Sequence, residues 1–322
     1  MQAILLNKVG DSSSFKIKEV ENPRPQKNEI LIRHTAIGVN FFDILFRRGQ
    51  YKLAQTPAIL GFEACGIVEE LGSGVTEFRV GERVAYATGP MGSYCEKRAI
   101  HKHYVVAVPQ NISDTVAAGS LMKGLMAHTL LYRAFLAKRA KKILVHAAAG
   151  GVGQFLCQWA NSLGIEVIGT VGSDLKMMRA QSNGCSHVIN YKSTNFVQEI
   201  ERITDGGGVG AVYDGVGKDT MIKSLECLWP MGIYIGYGES SGSTEKLDLN
   251  LLVTNSLYLT RPTLALYKAN RIELALGAAE LFNLIGKGAL KPQITTYPFK
   301  DVGKAHAALE SRASTGSLVL TL

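Results

Sequence analysis

The chain has 322 residues, of which 46% are apolar and 19% are charged, and its 34 glycines and 9 prolines follow no short period. This composition excludes a disordered, collagen-like or low-complexity protein, and the length predicts two domains that each bury a core. The net charge of +8 permits nucleic acid, an anionic membrane surface or a small anionic ligand as partner, but the basic residues are spread along the chain, which disfavours nucleic acid.

The first third of the chain alternates short apolar runs with turn signals such as Asn22-Pro23 and Gly81-Glu82. Strands are predicted at residues 3–6, 15–20, 29–37, 66–71, 83–87 and 104–108. Many short strands at this spacing predict an all-β, barrel-like unit.

The pattern changes near residue 113, where a long helix is predicted over 113–138. Strands are then predicted at 143–146, 166–170, 187–190, 211–214, 232–236 and 257–260, with helices at 153–163, 174–183, 196–204 and 220–227. This alternation predicts βαβ units on a parallel sheet. Helices at 271–285 and 301–311 and a strand at 318–320 follow, and this tail is expected to pack on the N-terminal unit.

The cysteines indicate a reduced protein with buried thiols. They are odd in number and no two of them have the CxxC spacing, which disfavours disulfides and a structural zinc: Cys65, Cys95, Cys157, Cys185 and Cys227. The N-terminal apolar run of four residues is too short for the core of a signal peptide, and no stretch approaches the roughly 20 apolar residues that span a bilayer. We therefore expect a cytoplasmic protein that does not enter a membrane.

A glycine-rich turn lies between the predicted strand at 143–146 and the predicted helix at 153–163. Ala148, Gly150 and Gly153 have the spacing of the GxGxxG dinucleotide-binding pattern, with Ala in place of the first Gly. Small residues there let the backbone approach a pyrophosphate, which the positive end of the helix attracts. The alternative is a turn that only packs tightly.

The end of the next predicted strand bears on the choice between NAD and NADP. An NAD site places an acidic residue there to bind the ribose 2′-hydroxyl, but this strand is followed by Gly172 and Ser173, with no carboxylate before Asp174. Lys176 follows, and a cation without a neighbouring strand-end acid favours the 2′-phosphate of NADP. The alternative is that Lys176 is a solvated surface residue.

Short motifs along the whole chain carry a resemblance to a known family: VNFFD at 39–43, GFEACG at 61–66, GERV at 81–84, KGL at 123–125, HAAAGGVG at 146–153, GTVGS at 169–173, VINY at 188–191, YDGVG at 213–217, LTRP at 259–262 and LESR at 309–312. Together, these motifs resemble those of the medium-chain dehydrogenase/reductase superfamily, in its zinc-free NADPH:quinone oxidoreductase (ζ-crystallin-like) branch of the bacterial type. The resemblance covers essentially the whole chain.

The resemblance implies an α/β protein with a GroES-like β-rich catalytic domain and a Rossmann domain with a doubly wound parallel sheet. The first would span 1–122, completed by 262–322, the second would span 123–261, and the protein would be a homodimer. NADPH would lie with its nicotinamide in a zinc-free cleft between the domains. The implied cofactor-binding residues are Asn40, Gly150, Gly151, Val152, Gly172, Ser173, Lys176, Tyr191, Tyr237, Gly238 and Arg312.

The same resemblance implies a substrate pocket with Asn40 and Tyr51, and Asp43 is a further candidate whose alternative role is a structural ion pair. The sequence departs from the family at Gly215, which replaces a common Ser. It also departs at 126–129, where Met-Ala-His-Thr replaces a Thr-Ala/Val-Tyr-Tyr-like run.

A catalytic zinc is not expected, because Gly-Phe-Glu at 61–63 replaces the GHE-type segment and Glu63 alone cannot supply three protein ligands. Without a Lewis acid, alcohol oxidation is disfavoured, whereas a quinone already accepts electrons through its conjugated system. The sequence therefore predicts an NADPH-dependent quinone reductase, in which Asn40 and Tyr51 donate hydrogen bonds to a quinone oxygen. The alternatives are an NADPH-dependent alkenal or enone reductase and, from another class, a nucleic-acid-binding protein on the same fold.

Overall fold

The computed structural model describes residues 1–243 and 246–322, which divide into two compact units. The first unit comprises Met1–Leu125, Lys268–Lys287 and Pro292–Leu322, and the second comprises Met126–Tyr267 and Gly288–Lys291. The division falls inside one helix, between Leu125 and Met126. The functional domain limits inferred from the sequence remain our proposal.

The strands are β1 Gln2–Leu6, β2 Phe15–Glu19, β3 Glu29–Val39, β4 Ala58–Ile59, β5 Glu63–Leu71, β6 Arg83–Tyr86, β7 Lys97–His101, β8 Val105–Ala107, β9 Lys142–Val145, β10 Glu166–Val171, β11 His187–Asn190, β12 Val209–Asp214, β13 Leu228–Gly236, β14 Tyr258–Thr260, β15 Ile294–Pro298 and β16 Ser317–Thr321. The α-helices are α1 Phe41–Arg47, α2 Asp114–Thr129, α3 Gly151–Ser162, α4 Met177–Ser182, α5 Phe196–Ile203, α6 Met221–Glu226, α7 Asn250–Val253, α8 Leu264–Tyr267, α9 Arg271–Gly286 and α10 Val302–Glu310.

The first unit is built on two sheets. A three-stranded sheet has the order β2-β1-β4, and a larger sheet has the order β15-β16-β3-β5-β6-β8, with β7 also paired to β3. Strand β16 runs antiparallel to β3 with Leu318 opposite Val39, so both ends of the chain contribute to one sheet. Apolar side chains such as Ile30, Ile32 and Ile37 of β3 are fully buried in the core of this unit.

The second unit contains six parallel strands in the order β11-β10-β9-β12-β13-β14. Numbered within the unit, this is 3-2-1-4-5-6, the Rossmann order. All six residues of β12 are buried, as expected for a parallel strand covered on both faces. The predicted fold class, a β-rich unit and a Rossmann unit, is confirmed.

Two predicted helices differ from the structure. The helix predicted over 113–138 ends at Thr129, continues as a wider π-helical turn over Leu130–Ala134, and stops where Phe135 is extended. The apolar pattern extends past the helix because Leu130 and Leu131 remain buried after it ends. The helix predicted over 174–183 begins as a 3-10 turn, Asp174–Lys176, before α4.

Within the described ranges, no helix has both the length and the apolar character that a membrane crossing requires.

Candidate functional site

The glycine-rich turn of the second unit connects β9 to α3. Ala147 has a φ of +55°, and the backbone bends so sharply that a Cβ atom at Gly153 would lie 2.1 Å from the Ala147 carbonyl oxygen. The Ala148 amide donates to the Thr170 carbonyl oxygen at 3.1 Å, and Asn183 Nδ2 donates to the Ala148 carbonyl oxygen at 3.1 Å. Hydrogen bonds to β10 and to the end of α4 therefore hold the turn in place. The turn leaves an open space that a larger residue at position 153 would fill.

Most predicted cofactor residues follow the carboxyl ends of the parallel strands. Gly150, Gly151 and Val152 follow β9, while Gly172, Ser173 and Lys176 follow β10, Tyr191 follows β11, and Tyr237 and Gly238 follow β13. Residues 150–152 are half-buried at the start of α3, so a ligand can reach them. Open α/β sheets bind nucleotides at this edge, near the point where the strand order reverses.

The ends of β10 and β11 bring four of these residues together. Val171 pairs with Asn190, so Gly172 and Tyr191 emerge side by side, and a Cβ atom at Gly172 would lie 3.4 Å from the Tyr191 hydroxyl. Ser173 and Lys176 share the 3-10 turn that follows, where the Lys176 amide donates to the Ser173 carbonyl oxygen at 3.1 Å. Asp174, in the same turn, accepts a hydrogen bond from Asn190 Nδ2 at 2.8 Å. Its carboxylate therefore holds the end of β11.

A buried histidine connects the elements that meet at this edge of the sheet. His146 follows β9, and its Nδ1 lies 2.7 Å from Thr170 Oγ1 while its Nε2 lies 2.8 Å from Ser224 Oγ. Burial lowers the pKa of His146, so it is neutral at physiological pH. The Ser224 hydroxyl donates to the Thr220 carbonyl oxygen at 2.7 Å, so Ser224 accepts from His146 Nε2 and Thr170 donates to Nδ1. His146 is a structural link between β9, β10 and α6.

The turn after β12 explains one departure from the family pattern. The Oδ1 atom of buried Asp214 accepts hydrogen bonds from the amides of Val216 and Gly217 at 2.6 and 3.2 Å. A Cβ atom at Gly215 would lie 2.8 to 2.9 Å from the ring and hydroxyl of Tyr237. The Tyr237 side chain thus fills the space that a Ser at position 215 would need, and its hydroxyl donates to the His146 carbonyl oxygen at 3.3 Å.

The remaining predicted site residues lie in the first unit. Asn40 precedes α1, Asp43 lies within it, Tyr51 follows it, and Arg312 follows α10 with a φ of +58°. Residues Met126 to Thr129 form the last turn of α2 in the second unit, where the ring of His128 lies 5.0 Å from that of Tyr132.

A buried ion pair fixes the Asn40 side chain. Asn40 Nδ2 donates to Glu63 Oε1 at 2.8 Å, and Lys123 Nζ donates to the same oxygen at 2.7 Å. The Met122 amide donates to Glu63 Oε2 at 2.9 Å. Because a carboxylate only accepts hydrogen bonds, the NH2 group of the Asn40 side chain must face Glu63. One N–H of this group is bound to Glu63, and the other is not. The sequence prediction missed the role of Lys123, although a lysine among the apolar residues of α2 was a usable signal.

Asp43 belongs to a second buried network. Its Oδ2 atom accepts hydrogen bonds from the backbone N–H of Asn40 and from the Tyr94 hydroxyl, both at 2.8 Å. The Tyr94 hydroxyl also lies 2.9 Å from His306 Nε2. Asp43 Oδ1 has no hydrogen-bond partner among the described residues. Burial raises the pKa of Asp43 to about 7, against the effect of these hydrogen bonds, and burial lowers the pKa of His306 to about 3. Asp43 is fully buried, so it supports Asn40 from within the core.

Tyr51 is half-exposed beside three phenylalanines. Its ring lies 5.3 Å from that of Phe42 and 5.5 Å from that of Phe46, and Phe62 lies 4.9 Å from Phe42. The sequence prediction named Tyr51 only. The spacing of Phe42 and Phe46, four residues apart on one helix, was a signal for their contact.

The donor set does not fit a catalytic zinc. Glu63 Oε1 already binds the Lys123 ammonium, which would repel a metal cation at the same oxygen. Cys65 and Cys95 are buried, and burial raises the pKa of both thiols, so they are protonated at neutral pH. Across residues 1–243 and 246–322, no group of three or more His, Cys, Asp or Glu side chains is arranged to hold a metal ion.

Two family models match the chain. The model described as "Alcohol dehydrogenase GroES-like domain" matches residues 26–136, and that described as "Zinc-binding dehydrogenase" matches residues 151–278. Quinone oxidoreductase 1 of Escherichia coli is 41% identical over 98% of this chain and 98% of its own length. A 2-haloacrylate reductase of a Burkholderia species is 38% identical over 99% of this chain and 98% of its own length. The crystal structure of Escherichia coli quinone oxidoreductase complexed with NADPH has a TM-score of 0.97, with 40% identity and both chains fully covered.

Proposed function

Because this chain belongs to the medium-chain dehydrogenase/reductase superfamily, in its quinone oxidoreductase branch, we propose that it is an oxidoreductase that uses NADPH to reduce a quinone. The observation that carries this proposal is the similarity over the full length to a quinone oxidoreductase whose solved structure contains NADPH. Both family models also match this chain, so the similarity extends to the proposed cofactor-binding half and to the β-rich half of the chain.

The second unit provides the residues that we assign to NADPH. Gly150, Gly151 and Val152 would bind the pyrophosphate at the start of α3, where the free amides of a helix attract an anion. Ser173, Lys176 and Tyr191, beside Gly172, would hold the 2′-phosphate, and Tyr237 and Gly238 would line the nicotinamide end. Bound NADPH supplies the hydride that reduces the acceptor. Asn40 and Arg312 are assigned to the cofactor on the family resemblance alone.

Asn40 and Tyr51 are the residues that we assign to the acceptor. The N–H of Asn40 that Glu63 does not bind can donate to a quinone oxygen, and the Tyr51 hydroxyl can do the same. A donor held in place before the reaction stabilises the negative charge that develops on this oxygen. Glu63, Lys123 and Asp43 are positioning residues, because they hold Asn40 rather than contact the acceptor. The enzyme would work without zinc, since a quinone needs no Lewis acid.

A second candidate is an NADPH-dependent enone reductase. The observation in its favour is the 38% identity, over nearly the full length, to a 2-haloacrylate reductase. Both acceptors are activated by conjugation, so the same donors could serve either.

The test is an assay of NADPH oxidation with 1,4-naphthoquinone and, separately, with a 2-alkenal and 2-chloroacrylate. We expect a higher kcat/KM with the quinone, and unchanged rates after dialysis against a zinc chelator. Activity restricted to the alkenal or the haloacrylate would replace the first proposal with the second.

We further propose a cytoplasmic homodimer. All five cysteines are free and buried, which is in keeping with a reducing compartment.

A further inference from the structure

A carboxylate at the end of α10 binds two arginines at the end of α1, and we call these three residues the ion-pair clamp: Arg47, Arg48 and Glu310. The Oε2 atom of Glu310 lies 2.5 Å from Arg47 Nη2, and its Oε1 atom lies 2.6 Å from Arg48 Nε. Each oxygen of the carboxylate thus binds one guanidinium group, and such charge-assisted hydrogen bonds are the stronger kind. The ion-pair clamp therefore joins the carboxyl-terminal ends of the two helices.

The two ion pairs of the clamp differ in burial. The side chain of Arg47 is fully buried, whereas that of Arg48 is 50% exposed. The Nε and Nη1 atoms of Arg47 have no hydrogen-bond partner among the described residues, so its hydrogen-bonded counter-ion is Glu310. Removing one partner of a buried ion pair leaves the other charge buried and unpaired, which is far more costly than breaking an exposed pair. The pair between Glu310 and Arg47 is therefore the one that holds α1.

A second link joins the same two helices one turn earlier. The Tyr94 hydroxyl lies between Asp43 of α1 and His306 of α10, at 2.8 Å from Asp43 Oδ2 and 2.9 Å from His306 Nε2. Asp43 precedes Arg47 by four residues and His306 precedes Glu310 by four residues, so each helix uses one face for both links. Helix α1 is therefore bound to α10 at two successive turns.

These two helices carry the residues of the first unit that we assign to the cofactor. Asn40 immediately precedes α1, and Arg312 is the second residue after Glu310. Arg312 has a φ of +58°, a conformation that glycine usually adopts after a helix, and its amide donates to the Leu309 carbonyl oxygen at 3.1 Å. A residue other than glycine keeps this conformation only where its surroundings impose it. The position of Arg312 therefore depends on how the end of α10 is held.

We propose that Glu310 is a positioning residue, which keeps Asn40 and Arg312 in a fixed arrangement for the cofactor by binding α1 to α10 through Arg47. This inference rests on the proposed function, from which it takes the assignment of Asn40 and Arg312 to NADPH. Both carboxylate oxygens of Glu310 are bound by arginines, so it acts through them. The residues that we assign to the 2′-phosphate belong to the second unit, so loss of the ion-pair clamp should affect NADPH and NADH alike.

The test measures binding of NADPH and of NADH by fluorescence titration for Glu310→Gln, which keeps the size of the side chain and removes its charge. At a temperature at which circular dichroism shows a folded variant, we expect the Kd of both cofactors to rise by the same factor, about fivefold to twentyfold. Arg48→Gln should change either Kd by less than about twofold, because it breaks only the exposed ion pair. Glu310→Asp, which keeps the charge, should recover part of the lost affinity.

A double variant shows whether the effect depends on Arg47. Arg47→Met combined with Glu310→Gln removes the buried charge together with its counter-ion, so this variant serves the test even where Glu310→Gln alone does not fold. We expect it to bind both cofactors about as weakly as Glu310→Gln, because the same link is lost in both. Losses from Arg47→Met and Glu310→Gln that multiply in the double variant would mean that the two residues act independently, and would overturn the proposal.

Glu69→Gln is the matched control. Glu69 is a carboxylate of the same unit that also binds two cations, with Arg33 Nε at 3.1 Å and Lys97 Nζ at 2.8 Å, and its side chain is 27% exposed against 22% for Glu310. It joins β5 to β3 and β7, away from α1 and α10 in the chain. Glu69→Gln should leave both Kd values unchanged. Equal effects of Glu69→Gln and Glu310→Gln, or a loss confined to NADPH, would contradict the positioning role.

The titrations contain no acceptor, so they separate this inference from the proposed function. A wild type that binds NADPH but reduces no quinone would refute the proposed function, and weaker binding of both cofactors by Glu310→Gln would still support the ion-pair clamp. Unchanged Kd values in Glu310→Gln and in the double variant would overturn the inference and leave any quinone reductase activity of the wild type intact.

Discussion

At the residue scale, we propose that a preference for NADPH over NADH depends on Lys176. It lies in the 3-10 turn after β10, where the carboxylate of Asp174, two residues earlier, accepts from Asn190 Nδ2 at 2.8 Å. We expect Lys176→Ala to weaken NADPH binding by about 1.5–3 kcal/mol, because one charge-assisted contact to the 2′-phosphate is lost, and to leave NADH binding nearly unchanged. Fluorescence titration with each cofactor measures both effects.

Lys223→Ala is the control for Lys176, since Lys223 is an exposed lysine on α6 of the same unit. Equal losses for NADPH and NADH in Lys176→Ala would show that the 2′-phosphate is bound elsewhere.

Asp43 makes stability depend on pH. Burial raises its pKa from 3.8 to about 7, so between these values the folded protein holds a proton that the unfolded chain has released. This contribution to stability is complete below about pH 4 and is lost as the pH rises through 7. Relative to Asp43→Asn, which cannot titrate, the wild type should lose on the order of 2 kcal/mol of unfolding free energy between pH 5 and pH 8.

Urea unfolding at both pH values measures this difference for Asp43→Asn and for Asp205→Asn, a control at an exposed aspartate of the second unit. The Asp205→Asn variant should follow the wild type at both values. Parallel behaviour of Asp43→Asn and the wild type would mean that Asp43 titrates as an ordinary carboxyl.

The turn between β9 and α3 leaves no room for a side chain at position 153. Gly153 is half a turn into α3, and its missing Cβ leaves room for the Ala147 carbonyl oxygen. We expect Gly153→Ala to destabilise the protein by about 1–3 kcal/mol, because a backbone atom must move, and to weaken NADPH binding. Thermal unfolding and a cofactor titration would measure the two effects, with Ser162→Ala at the exposed end of α3 as control. A variant with wild-type stability would contradict the close approach.

At the level of elements, the sequence predicted the strands and helices that a local residue pattern defines. Strand β11 was predicted with its observed limits, and α9 to within one residue. The short helix α1 was not predicted, because its seven residues carry too little periodic signal. Asn40, which precedes it, donates its backbone N–H to Asp43 and its side-chain N–H to Glu63. The predicted extension of α2 to 138 failed because buried leucines continue past the helix end.

At the scale of the whole molecule, β14 bears on the proposed homodimer. It is the edge strand of the six-stranded sheet, and Tyr258 at its start is 61% exposed. An exposed edge can pair with the same edge of a second copy around a twofold axis. We expect light scattering to give twice the chain mass of 34.8 kDa, and Tyr258→Lys to shift the protein toward the monomer. Leu276→Lys, on the 62% exposed position of α9, is the control. A wild-type monomer would refute the dimer.

The sequence by itself determined most of the strands and longer helices, the glycine-rich turn and the family. These features depend on neighbours in the chain, whose spacing is written directly in the sequence. The tertiary structure alone decided that Lys123 pairs with Glu63, 60 residues away, and that Tyr94 joins Asp43 to His306, 212 residues further on. It also decided that Tyr237 occupies the space beside Gly215 and that Phe62 meets Phe42. Such contacts arise when separate elements pack into one core, and no local pattern specifies which side chains will meet there.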